Sequence, residues 1–328
     1  MTGVALYGSQ SMAAKLDLLE LKTPIVQAGM GAVARHELAA AVSEAGGLGT
    51  IAGVRIRIAD ELAAARRLTG RPVAVNLLLP FARPGDVEEA GGADAIVTFW
   101  GRPRRVAGCT WIHQCGSVEE AREAEAAGAD AVIAQGVEAG GHVRGRTPML
   151  ELLERVKSAV RIPVLAAGGI IDRRGVAAAL EAGAAAAVLG TRFLMSEESR
   201  AHPEYKRRCG SADRTILTEL FGLGWPAAPH RVVPNAATRR WLGDGTPTPA
   251  WISMANRLSR PLVARLPESL QAQALSRQRS GMPLLSPQPP TDDGPAGLVD
   301  SGPLYAGEGV AGIDDVVAAA QIVEMVTP

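Results

Sequence analysis

The sequence predicts an α/β fold, a (β/α)8 TIM barrel with a smaller, mainly helical cap, on three observations. Short apolar runs alternate with amphipathic segments from residue 25 to residue 189, the pattern of a parallel sheet with helical crossovers. Eight such runs can be placed, and eight parallel strands can close on themselves and so remove both sheet edges. After about residue 199 the texture changes to proline-rich and tryptophan-bearing sequence.

Taken in order, residues 1–20 are expected to form a lead-in helix with Leu16, Leu18, Leu19 and Leu21 as its apolar contacts. A strand follows at 25–29. The helix at 37–44 repeats Leu38, Ala41, Val42 and Ala45 at helical spacing, and Gly46 and Gly47 stop it. Further strands are expected at 48–52, 73–79, 95–100, 110–115, 131–134, 164–167 and 186–189; Pro72 stands at a common strand-entry position. Further helices are expected at 59–68, 118–127, 148–160 and 173–181. Residues 101–108 are too few for a helix and predict an irregular crossover.

The barrel is expected to occupy residues 1–199 and the cap 200–306. Trp225, Trp241 and Trp251, with Leu217, Leu220, Ile252 and Leu258, supply the cap's apolar surface. The stretch 286–297, with PQPPTDDGPAG, cannot form long regular elements and is expected to be mobile. Residues 307–328 carry a final helix, read as 313–326, with Asp314 and Asp315 complementing its dipole and its apolar face packed back on the barrel.

Composition narrows the function. The 328 residues carry zero formal net charge, 47% hydrophobic and 21% charged residues, ordinary for a globular enzyme. That balance gives no electrostatic case for nucleic acid or an anionic membrane, and the RPRR run at 102–105 is too short to change it. Cys109, Cys115 and Cys209 make neither a disulfide framework nor a metal site. With no signal-like segment and no long apolar run, a cytoplasmic protein is expected.

The chemistry-bearing stretch is AVIAQGVEAGGHVRG at 131–145: a strand, a glycine loop and one histidine. It places Gln135 and His142 at a strand's carboxyl end, the rim where barrels build their sites. Gly140 and Gly141 allow backbone to approach a flat ligand beside an imidazole. Two more glycine turns, AAGGI at 166–170 and LGTR at 189–192, follow the last two strands, where many barrels hold a phosphate. Gly168, Gly169, Gly190 and the Thr191 hydroxyl are its natural ligands. A phosphate-bearing cofactor or substrate is expected.

The motifs PIVQAGM, AVSEAGGLGTIAG, VNLLLPF, DAVIAQGVEAGGH, IPVLAAGGI and VLGTRFLMSEESRAHPEYK, with YAGEGV at 305–310, resemble the nitronate monooxygenases, also called 2-nitropropane dioxygenases. The closely similar flavin-dependent enoyl-ACP reductases share most of them. The resemblance covers about residues 20–207 and implies FMN as cofactor. By it, Gly29 and Met30 flank the isoalloxazine, and Asn76 and Gln135 offer amide donors to its heteroatoms. Gly140 lies against the flavin, Gly169 with Leu189, Gly190 and Thr191 holds the phosphate, and His142 is the active-site histidine.

The reaction so implied is oxidation of an alkyl nitronate, or a nitroalkane, with O2 to a carbonyl compound and nitrite. A neutral amide at Gln135, where the reductase relatives carry Glu, favours it, because a carboxylate there would oppose negative flavin charge. Arg144 could attract the anion, and Trp100 and Tyr305 could line an apolar pocket. The alternatives are an FMN-dependent NAD(P)H enoyl-thioester reductase and a catalytically silent flavin-binding protein. A flavinless sugar-phosphate isomerase or aldolase is disfavoured, since no lysine lies near a strand's carboxyl end and Glu138 is the only acid in the central loop. A homodimer is compatible with the sequence.

Overall fold

The computed structural model describes residues 19, 21–106, 108–225, 227–243, 247–263 and 268–328. Eight parallel strands form the central sheet: β1 (Ile25–Gln27), β2 (Gly49–Ala52), β3 (Val73–Leu78), β4 (Ala95–Phe99), β5 (Thr110–Cys115), β6 (Ala131–Gln135), β8 (Val164–Ala167) and β9 (Ala187–Leu189). A two-residue strand, β7 (Gly141–His142), lies outside this sheet. The order is β1-β9-β8-β6-β5-β4-β3-β2. Val26 bridges Leu48, and the Gln27 N–H donates to the Leu48 carbonyl at 2.9 Å, which brings the two ends of the sheet together as a (β/α)8 barrel.

Two sets of apolar side chains explain the closure. One set, including Val26, Leu48, Ala74, Val97, Ile112, Ile133, Leu165 and Val188, comes from or beside every strand and fills the barrel; Leu19 joins it and Leu21 packs against it. The other faces outward against the helices α1 (His36–Glu44), α2 (Ile58–Leu68), α3 (Pro84–Ala90), α4 (Val118–Ala126), α5 (Met149–Lys157) and α6 (Arg173–Glu181). Strands buried on both faces read as continuous apolar runs, which is why the sequence located all eight. The rest of the expected lead-in helix lies outside the described residues.

The sequence reading missed α3. Its start is signalled by a proline at the first helical position and by Asp86, whose carboxylate accepts the Arg83 N–H at 2.8 Å. Between β4 and β5 there is no helix among the described residues; Trp100 (φ 61°) and Gly101 (φ 127°) turn the chain sharply instead.

Beyond β9 the chain forms α7 (Thr191–Leu194), α8 (Pro203–Gly210), α9 (Ala236–Leu242), α10 (Ala250–Val263), α11 (Glu268–Ser276), α12 (Leu298–Ser301) and α13 (Ala319–Val326). It also forms a small antiparallel sheet of β10 (Ile216–Thr218), β11 (His230–Val233) and β12 (Leu304–Tyr305), which the sequence did not reveal. β7 pairs with β11, His142 opposite His230 and Gly141 opposite Arg231, so a barrel loop and the cap share one sheet.

Three expectations are corrected. The proline-rich stretch is packed: Thr291 bridges Ala201, the His202 N–H donates to the Pro290 carbonyl at 3.2 Å, and the Tyr305 hydroxyl donates to the Pro287 carbonyl at 2.7 Å. Helix α10 buries Ile252, Asn256 and Ser259, leaving Trp251 and Leu258 exposed on its outer face. The last helix begins at Ala319, because Val317 first pairs with Ser196. The carboxylate at its start is Glu198, which accepts the Ala319 N–H, while Asp315 binds Arg192 instead. Helix α13 packs on α1, α6 and α7.

Gly49 shows how tightly helix and strand meet. A Cβ there would stand 1.8 Å from the Ala39 carbonyl oxygen and 2.6 Å from Ala39 Cα, both backbone of α1. Gly49→Ala is therefore expected to lower the unfolding free energy by about 3 kcal/mol or more, as read by urea denaturation; a loss below about 1 kcal/mol would show that α1 is not seated against β2 in this way.

Candidate functional site

A cavity of about 610 Å³ opens at the carboxyl ends of the barrel strands, between them and the cap. Gly29, Met30, Asn76, Gln135, Gly140, Gly141, His142, Gly168, Gly169, Gly190 and Thr191 all line it, so the structure brings together every sequence-selected site residue but one. The exception is Leu189. Its side chain is fully buried in the core and its carbonyl accepts the Ala28 N–H in the β1–β9 ladder, so Val188 lines the cavity instead.

The floor is backbone. A Cβ on Gly29 would fall 2.4 Å from Asn76 Cβ, and one on Gly140 would fall 2.6 Å from the Gly307 nitrogen and the Ala306 carbonyl carbon. The 305–310 segment thus crosses directly over the central loop. Gly168 (φ 134°) and Gly169 (φ 67°) take left-handed conformations that turn the loop after β8 back under it. The Gly307 N–H donates to the Thr191 hydroxyl oxygen at 2.9 Å, which leaves the hydroxyl hydrogen free to donate into the cavity.

Gln135 does something the sequence did not reveal. Its Nε2 donates to the His142 carbonyl at 2.9 Å, and its Oε1 accepts the Arg144 N–H at 3.1 Å. One buried amide therefore spans the loop that carries the histidine. Asn76 donates from Nδ2 to the Val97 carbonyl at 3.2 Å. Glu138 turns away from the cavity and accepts the Met149 N–H at the start of α5. Arg144 also stays out: its Nε donates to Glu120 at 2.6 Å and its guanidinium lies 5.0 Å from the Trp100 ring centre.

His142 sits in an aromatic cluster. Its ring stacks on Trp225 at 3.6 Å between centres and 23° between planes, with His230 at 5.2 Å, Tyr305 at 5.4 Å and Trp100 at 6.1 Å. Burial, with His230 beside it, holds its pKa well below the ordinary imidazole value. His230 Nδ1 lies 2.9 Å from the Ala228 carbonyl and Nε2 accepts the Phe221 N–H at 3.2 Å, a pattern that only the neutral ring satisfies. Its pKa is pushed down to about 4 by burial. Tyr305 lines the cavity as expected, whereas Trp100 backs onto Trp225 from outside it.

Sequence reasoning missed the cavity's outer wall. Arg35, Arg55, Arg83 and Arg260 line it, against one lining carboxylate, Asp86. They come from three different βα loops and α10, with no common motif to reveal them. Phe81, Trp225 and the 286–289 stretch complete that wall.

A family profile described as nitronate monooxygenase matches residues 12–103 and 101–328. The chain belongs to the nitronate monooxygenase family. It is 38% identical over 236 residues, 66% of its length, to a (3aS,4S,5R,7aS)-5-hydroxy-7a-methyl-1-oxo-octahydro-1H-indene-4-carboxyl-CoA dehydrogenase of Mycobacterium tuberculosis, of which it spans 64%. Among solved structures it resembles FabK from Thermotoga maritima, with TM-score 0.74, 31% identity and coverage of 95% of this chain and 94% of that one. It also resembles a nitroalkane oxidase from Streptomyces ansochromogenes, with TM-score 0.71, 33% identity and coverage of 95% and 96%. Among the described residues no helix is long and apolar enough to cross a membrane, and no cluster of His, Cys, Asp or Glu could hold a metal.

The buried histidines make a pH prediction. The unfolded chain protonates His113 and His230 near 6.5, but burial holds both at about 4 in the folded protein. Their neutral forms thus favour folding fully above about pH 6.5, and this contribution is lost as pH falls towards about 4. Each accounts for up to roughly 3 kcal/mol across that window. Urea unfolding at several pH values should show a shallower slope between pH 6.5 and 4 in His113→Gln than in wild type; an unchanged slope would contradict a neutral buried His113.

Proposed function

We propose that the protein is an FMN-dependent oxidoreductase that oxidises alkyl nitronates with O2 to a carbonyl compound and nitrite. The observation that carries this reading is the cavity itself: a glycine-lined floor at the strands' carboxyl ends, leading from a donor-bearing phosphate end to a half-buried histidine whose pKa is held low. The nitroalkane oxidase fold and the family membership support the same reading. When bound, FMN supplies the two-electron acceptor and the site of reaction with O2.

The residues fit that group. Thr191, Gly168, Gly169 and Gly190 form the end that would take its phosphate, through a hydroxyl and backbone N–H groups. Gly29, Met30, Gly140 and Gly141 line the cavity, and a Cβ on Gly141 would meet open space, so a flat ring system has room to lie against that backbone. Asn76 reaches that floor with amide hydrogen-bonding capacity, and Gln135 has one Nε2 hydrogen beyond the one committed to His142.

On this reading His142 binds the nitronate oxygens rather than serving as a strong base. An imidazole held well below its ordinary pKa is a weak proton acceptor, so it suits a substrate that is already ionised better than a neutral nitroalkane. Gln135 and the β7–β11 pairing hold its ring in place, and Trp225 excludes water from it.

A second reading, an FMN-dependent NAD(P)H enoyl-thioester reductase, is favoured by one observation. Four arginines gather on the cavity lining, Arg35 paired with Glu61 and Arg83 with Asp86, where a polyanionic tail such as that of a coenzyme A thioester could join these pairs, and the Mycobacterium relative carries a carboxyl-CoA name.

Anaerobic mixing decides between them. Propyl nitronate should bleach the yellow holoenzyme, nitropropane far more slowly, and His142→Ala should slow the nitronate reaction by about a hundredfold or more. Bleaching by NADH or NADPH, with none by nitronate, would overturn the first reading in favour of the second.

A further inference from the structure

We infer that Trp225 is a gating residue for His142: its indole covers one face of the half-buried imidazole, and it must shift before the buried Nε2 can take up a partner. The inference rests on the proposed role of His142 in the reaction, but the contact itself is independent of which substrate is used.

The geometry points to a cover rather than to ordinary core packing. The two rings lie nearly parallel at 3.6 Å, a close stack for an imidazole that lines an open cavity. Among the described residues, His142 Nε2 is buried without a hydrogen-bond partner, and so is Trp225 Nε1. Two facing rings that each bury an unpaired nitrogen are held by stacking and apolar burial but opposed by desolvation on both sides. Shifting the indole uncovers that face and reduces the burial of both nitrogens, so opening is favoured by their solvation and opposed by the lost stack.

What can move is the side chain. The Leu223 N–H donates to the Leu285 carbonyl at 3.1 Å, the Gly224 N–H to Ser259 Oγ at 3.0 Å, and the Trp225 N–H to the Gly222 carbonyl at 2.9 Å. With the backbone tied on three bonds, the ring turns about its own side-chain bonds. Phe81 and Trp100 meet the indole edge-on at 5.0 and 5.2 Å, and the half-exposed Phe81 marks the side on which room exists.

The groups facing His142 are few. His230 faces it from β11 and is held neutral by its two hydrogen bonds, Tyr305 faces it from β12 and is held neutral by burial, and Arg144, two residues along, is paired with Glu120. No carboxylate contacts the ring among the described residues, so Trp225 is the neighbour whose removal changes its solvation most.

The test is a titration of the ¹⁵N-histidine-labelled holoenzyme by NMR, with His142 assigned from His142→Gln. In wild type the ring should stay neutral through the stable pH range. In Trp225→Ala its proton affinity should rise at least tenfold, while Trp225→Phe, which keeps a stacked ring, should behave like wild type. Diethylpyrocarbonate labelling mapped by mass spectrometry gives a second readout: His142 should be protected in wild type and modified at least tenfold faster in Trp225→Leu. An unchanged His142 titration and unchanged labelling, in variants with the wild-type flavin spectrum, would overturn the proposal. Absence of any nitronate reaction would instead overturn the functional reading and leave these two measurements intact.

Discussion

The site depends on one side-chain amide. Gln135 closes β6 and binds both the carbonyl of His142 and the N–H of Arg144. A loop on the barrel rim would otherwise hold many conformations; two hydrogen bonds from a single buried side chain select one. Pairing of Gly141 and His142 with β11 fixes the other edge of the same strand, and the Val143 N–H extends the ladder to the Pro229 carbonyl at 2.8 Å. The histidine is thus placed from the barrel on one side and from the cap on the other.

Around that clamp the structure is built by backbone laid on backbone. Gly145 leaves room for the Gly116 carbonyl, where a Cβ would come within 2.1 Å, and Gly140 does the same for Ala306 and Gly307. Arg231 reinforces the crossing: its guanidinium donates to the Val137 carbonyl at 2.8 Å and pairs with Glu308 at 2.8 Å, tying β11, the central loop and the closing segment together. These contacts explain the glycines at 140 and 145: a side chain there would collide with backbone that crosses at contact distance.

Much of this was legible in the sequence. The barrel strands are buried on both faces, so their apolar runs stand out, and the glycine turns after β6, β8 and β9 mark the rim directly. The cap's sheet was not legible, because its strands are two to four residues long and two of its three pairings cross gaps of tens of residues. Periodicity carries no signal at that length. The loop-spanning bonds of Gln135 were not legible for a related reason: its residue type announces an amide, but that it also ties its own loop depends on where residues 142–144 fold. Prolines 287 and 289 look like a flexible tail in sequence, yet they form cavity wall because Tyr205 and Tyr305 anchor that stretch and its neighbours through buried hydroxyls.

The central claim is that the glycine end around Thr191 receives the phosphate of a flavin lying on the glycine floor. Calorimetric titration of flavin-free protein with FMN and with riboflavin tests it most directly, since the two ligands differ only by that phosphate. The account predicts that FMN binds at least about a hundredfold more tightly, as two or more charge-assisted hydrogen bonds require. Equal affinity for the two, or binding of neither, would contradict it.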